Sequence, residues 1–227
     1  MRYKIDHDYH IHSYLSLCSN DPEQTAERIL QYAKDNSFTS FCVTDHYWDE
    51  NISGASPWYQ RQGYDHIAEI LPLPTADGIC TLFGCETDLN QRLTLGISPE
   101  RYNKFDFIII PTTHLHMVYN IDKALLDTSE RAKIWTERLE AVLNMPLPFS
   151  KVGLAHMTCN LTYPASHEGF IETVTKLRND DMERLFTKAA KLGMKTVIVD
   201  DGWQTHDQGR GYITCGDWKM APNKFPD

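Results

Sequence analysis

Several features are scarce in this chain of 227 residues, and each absence removes a class of protein. No run of about eighteen apolar residues occurs, so no membrane span is expected. The opening MRYKIDHDYHIHS has no apolar core of a signal peptide, so the expected compartment is the cytoplasm. Six cysteines are present but no C-x-x-C pair, which argues against a zinc ribbon or a thioredoxin-like motif. Positive charge is short: 22 Lys and Arg face 31 Asp and Glu, a net charge of −9. A nucleic-acid backbone is therefore not an expected partner. Repeats and low-complexity linkers are missing too. What remains is an ordinary globular composition, 41% hydrophobic and 11% aromatic, with room for one core. The anomaly is histidine: ten copies, clustered rather than scattered.

Apolar runs alternate with helical patterns along the chain. Residues 1–7 read as a short strand leading into the first histidines. Asp21 reads as a helix N-cap, with Pro22 in the first turn and Gln24 closing a capping box. Ala26, Ile29, Leu30 and Ala33 follow at helical spacing. FTSFCVTDH is a strand ending in Asp45 and His46, and residues 47–64 are an irregular loop holding Trp48, Trp58, Tyr59 and Tyr64. Strands are expected at 79–86 (ICTLFGCE) and 93–98 (LTLGIS), in FDFIIIPTTHLHM up to His114, in VGLAHM up to His156, and in KTVIVDD. Asp127 and Glu130 can cap a helix whose face is Ala132, Trp135, Leu139, Val142 and Leu143. A helix over roughly 180–192 presents Leu185, Phe186 and Ala189, with Gly193 at its C-cap. Strands that are apolar throughout, separated by helices, indicate a parallel sheet covered by helices. Such sheets carry their sites at the carboxyl ends of the strands.

Metal-ligand residues stand at nearly every such end: His10 and His12, Asp45 and His46, Glu86, His114, His156, then Asp200 and Asp201. One histidine there would be unremarkable. Repetition at one end of several strands is hard to explain by packing, because clustered buried polar groups need partners. A metal supplies one. In His10-x-His12 both side chains project from the same face, since the strand period is two. Imidazoles with one bridging carboxylate suit Zn, Mn or Fe. Two such ions can clamp a phosphoryl oxygen and acidify a bridging water. His116, two residues past His114 on the same face, is a candidate proton donor.

DYHIHS, VTDHYW, GCETD, PTTHLHM and GLAHM, in that order, resemble the motifs of the PHP (polymerase and histidinol phosphatase) family over about residues 1–195. The resemblance implies an α/β fold, a distorted (β/α)7 TIM-like barrel over residues 1–200, here without its usual last helix. It implies a metal-dependent phosphoesterase that attacks a small phosphomonoester with a metal-bound hydroxide. By position, His10, His12 and Glu86 hold one ion. Glu86 bridges to a second held by His114 and His156. Asp201 closes the first site, Asp45 positions His46 or water, and His46 stands where a third ion is often held. A further family histidine is replaced by Cys18, and Trp203 stands where the closing motif has histidine, so two divalent ions are expected and a weak or absent third. MKTVIVDDGWQ, GYITCGDW and KFPD, within 193–227, instead resemble the early barrel of α-galactosidase-type glycosidases. Residues 201–227 are accordingly expected to be an atypical tail and not a domain. The alternatives are an amidohydrolase-type hydrolase on the same metals, or a poorly active metal-binding barrel with a fused or truncated C-terminus.

Overall fold

The computed structural model describes residues 6–19, 21–112, 114, 128–156 and 182–197. Its frame is a parallel sheet of seven strands. In chain order they are β1 (His7–Ile11), β2 (Ser40–Val43), β3 (His46–Tyr47), β4 (Cys80–Thr87), β5 (Phe107–Pro111), β6 (Val152–Ala155) and β7 (Thr196–Val197). The order across the sheet is β1-β2-β4-β5-β6-β7, with β3 also on β4. β2 and β3 are one strand interrupted: Val43 pairs with Phe83 and His46 with Glu86, the same offset on both sides of Thr44 and Asp45. The gap is bridged by Glu86 N–H donating to the Asp45 carbonyl (3.0 Å) and Thr44 N–H donating to that of Ile11 (2.7 Å).

Among the described residues the α-helices are α1 (Ala26–Asp35), α2 (Tyr64–Ile67), α3 (Thr128–Leu143) and α4 (Met182–Lys191). α1 buries Ala26, Ile29, Leu30 and Ala33, the face its spacing predicts. Its cap differs. Thr25 is the N-cap and accepts from Arg28 N–H, while Asp21 caps the preceding turn by accepting from Glu23 N–H. In α3, Trp135, Leu139, Val142 and Leu143 are buried as expected. α4 buries Leu185 and Ala189 but leaves Phe186 exposed. It ends on Gly193 at φ +92, with Gly193 N–H donating to the Ala190 carbonyl and Met194 N–H to that of Ala189, the paired bonds of a Schellman cap. Among the described residues no helix is long and apolar enough to cross a membrane.

Ile108, Ile109 and Ile110 of β5 are wholly buried, each contributing about 1.5–3 kcal/mol on burial. Residues 1–5 lie outside the described residues, and the first strand contains the histidine motif instead of preceding it. Residues 93–98 form no strand. Asn90 Oδ1 accepts from the backbone of Arg92 (2.8 Å) and Thr94 (3.0 Å), Leu93 takes φ +60, and the chain turns back on itself. Only a single bridge, Leu89 to Leu95, survives.

The sheet is strongly curled. Four strand steps separate β1 from β6, about 19 Å in a flat sheet. Yet the rings of His10 on β1 and His156 just past β6 have centroids 5.4 Å apart. The curl is that of a half barrel and draws the carboxyl ends of the strands together.

Candidate metal centre

Glu86, near the end of β4, is the centre of the arrangement and is wholly buried. Its two oxygens face different histidines. Oε2 lies 3.3 Å from His10 Nε2, 3.2 Å from His12 Nε2 and 3.2 Å from His46 Nδ1. Oε1 lies 3.3 Å from His156 Nε2 and 3.9 Å from His114 Nδ1. His10 and His12 come from β1 and its end, His46 from β3, and His114 and His156 follow β5 and β6. His156 takes φ +50, a left-handed turn uncommon outside glycine, at the point where the strand ends.

The donor set fits a metal. Neither Glu86 oxygen accepts a well-aligned hydrogen bond from a described residue. A wholly buried carboxylate left so is costly. Donor atoms around a tetrahedral zinc at 2.0–2.1 Å stand about 3.3 Å apart. The Nε2 atoms of His10, His12 and His156 each stand 3.2–3.3 Å from a Glu86 oxygen. Among the described residues three sets could each hold an ion: His10–His12–Glu86, Glu86–His114–His156, and His12–Cys18–His46. The first two share the two-oxygen carboxylate and the third shares His12 with the first, so the sets are joined.

Electrostatics follow from crowding. Burial pushes the Glu86 carboxyl up, but the imidazoles of His46, His10 and His114 overcome it and hold the group well below its ordinary value. Burial holds the His46 imidazole well below its own, against the attraction of Glu86. Asp45 is buried, and burial raises its carboxyl above the usual range, although His12 and Ser13 pull the other way. Both its oxygens are engaged, accepting from Ser13 N–H (2.6 Å) and Ser13 Oγ–H (2.6 Å). It therefore ties the turn after His12 to the break between β2 and β3. Cys18 is exposed, and its thiol donates to Ser16 Oγ.

Among the candidates from sequence, His10, His12, His46, Glu86, His114 and His156 converge, with Asp45 one residue behind His46. His116 and Asp201 lie outside the described residues. Of the aromatic loop, Trp48 and Tyr59 are buried in the fold, and Trp58 is half-buried with its ring edge-on to His46 at 4.6 Å. Lys151 donates to the carbonyls of Tyr102 and Phe105, a structural role.

Three groups escaped the sequence reading: Asp88, Tyr59 as a site residue, and Arg138. Asp88 Oδ2 lies 3.1 Å from His114 Nδ1, and the Tyr59 hydroxyl donates to it at 3.0 Å. Two signals were available. Asp88 is two residues past Glu86 and so on its face of the strand. Arg138 stands among Trp135, Leu139 and Val142 at helical spacing, an ionic residue on an apolar face.

No protein-family model matches the chain. Over 50 residues it is 42% identical to probable alpha-galactosidase G of Emericella nidulans, and over 55 residues 34% identical to alpha-galactosidase Mel36A of Lactobacillus acidophilus. These stretches are 21% and 24% of this chain, and the chain spans 7% of the length of either curated relative. Among solved structures it is similar to histidinol phosphate phosphatase from Lactococcus lactis subsp. lactis, crystallised with zinc, L-histidinol and phosphate. That likeness covers 85% of this chain and 83% of the other, at 15% identity and a TM-score of 0.41.

Proposed function

We propose that this chain is a metal-dependent hydrolase and, within that class, a phosphoesterase acting on a small phosphomonoester. The observation that carries the reading is the buried Glu86 carboxylate with imidazole nitrogens on both oxygens at the spacing of ligands around an ion. Divalent ions such as zinc, manganese or iron would supply an acidified water and a Lewis acid for the phosphoryl oxygens.

The chain's own groups have separable roles. His10 and His12 with Oε2 form one ligand set, and His114 and His156 with Oε1 form the other. Asp201 as the closing carboxylate of the first set and His116 as a proton donor belong to the same proposal. His46, with His12 and Cys18, offers a weaker third position. Asp45 positions rather than reacts, because Ser13 occupies both of its oxygens. The Trp58 ring packs against His46 and gives that side of the imidazole an apolar neighbour. The scarcity of lysine and arginine favours a compact phosphorylated substrate over a polymer.

The test is hydrolysis of p-nitrophenyl phosphate by protein stripped with chelator and resupplied with zinc or manganese. Activity is expected to return with metal and to fall at least about 100-fold in Glu86→Gln, which removes the negative charge the two ligand sets share. Metal-restored activity equal in wild type and Glu86→Gln would sink the reading. Turnover of amide but not phosphoester substrates would move it to an amidohydrolase-type reaction.

A further inference from the structure

We propose that the buried Arg138–Asp88 pair is a positioning element for the histidine cluster: it sets the proton position and ring orientation of His114 directly, and of His46 through the Tyr59 hydroxyl. The inference rests on the metal reading above.

Arg138 projects from α3 and is 1% exposed. Its Nε–H donates to the Thr112 carbonyl (2.7 Å), just past β5. Its terminal nitrogens donate to the carbonyls of Asn90 (3.3 Å) and Leu89 (3.0 Å), just past β4, and to Asp88 Oδ1 (3.4 Å). One guanidinium therefore fastens the ends of two adjacent strands, and the fixed fork suits it to the task in a way lysine would not. Asp88 is wholly buried and fully engaged. Oδ1 takes Arg138 and the Leu89 N–H (3.2 Å), while Oδ2 faces the Tyr59 hydroxyl and His114 Nδ1.

The direction of each bond follows from what each group can do. A guanidinium only donates, and a carboxylate only accepts. The proton between His114 and Asp88 is therefore on His114 Nδ1, which keeps the lone pair of that ring on Nε2. Tyr59 gives its own proton to Asp88, so its oxygen is the acceptor toward His46 Nδ1 at 3.2 Å. That fixes the proton on Nδ1 of His46 as well. Two rings from different strands thus receive the same tautomer from one buried charge. A carboxylate behind a metal-binding imidazole orients the ring and raises its basicity. A pair that served only to tie strand ends together would not need a carboxylate oxygen aimed at the imidazole.

The experiment measures zinc affinity by competition with a chromophoric chelator, together with the visible absorption of the cobalt-substituted protein. It compares wild type, Asp88→Asn, and the double variant Asp88→Asn/Arg138→Gln, which removes both charges and leaves neither buried alone. Affinity is expected to fall about 10–100-fold in both variants, with an altered cobalt spectrum. A folded double variant with wild-type affinity and spectrum overturns the proposal. If the double variant does not fold, nitrogen-15 NMR of the wild-type zinc form decides: a proton on Nδ1 of His114 and His46 supports it, and an Nε2–H on His114 overturns it. Failure of the underlying metal reading looks different. Wild type would then take up no zinc, or Glu86→Gln would keep wild-type affinity.

Discussion

Ser13 and Asp45 show how a single residue steadies the site. Ser13 is fully buried and gives Asp45 two short hydrogen bonds, one from its backbone and one from its hydroxyl. Replacing Ser13 with alanine removes one donor from a buried carboxylate. The expected cost is about 1.5–3 kcal/mol in urea unfolding of the metal-free protein. Asp45→Asn should cost a similar amount, because an amide presents only one oxygen to the two donors, and the same unfolding curves check it. At this scale the proposed ligands were legible and their supports were not. Glu86, His114 and His156 each follow an apolar run, where a polar side chain is conspicuous, and His10 shows instead through its spacing from His12. Arg138 and Asp88 meet across 50 positions of sequence. No local pattern announces a pair that only the packing of α3 over two strand ends creates.

Among the elements, β4 is the most constrained. Gly84 sits in its middle, where a Cβ would come within 2.5 Å of the Phe107 carbonyl oxygen, 2.7 Å of Cys42 Sγ and 2.8 Å of Thr44 Cγ2. Gly84→Ala must push neighbouring strands apart and should cost about 1–3 kcal/mol. It should also weaken zinc binding, since Glu86 is two residues further along the same strand. Calorimetry and chelator competition on one sample read both. Leu185→Ala, on the buried face of α4, is expected to cost about 2–5 kcal/mol while leaving zinc affinity of the folded protein unchanged. Element types were legible where the signal was long: α1, β4, β5 and the cap at Gly193 follow from spacing and composition. Residues 93–98 were misread because LTLGIS has strand composition. The Asn90 side chain, three residues earlier, captures the backbone donors that a strand would have offered to a neighbour.

For the whole molecule, the proposed ligands span the sheet from its first strand to its sixth, so an ion held by them would be coupled to the fold. An ion that binds only the folded chain stabilises it by about 2.7 kcal/mol at a concentration 100 times its dissociation constant. Zinc should therefore raise the unfolding midpoint of the stripped protein, chelator should lower it again, and Glu86→Gln should flatten the response. The parallel architecture was legible from the alternation of apolar runs and helices. Its curvature was not, because curvature is a sum of small twists that no single residue encodes. That curl also sets an order of events in time. A ribosome adding about 5–20 residues per second makes His10 and His12 roughly 7–30 s before His156. During that interval the nascent chain owns half a claw, able to touch an ion but not to keep it. Retention of metal therefore reports that synthesis has passed the sixth strand and that the two ends of the sheet have found each other.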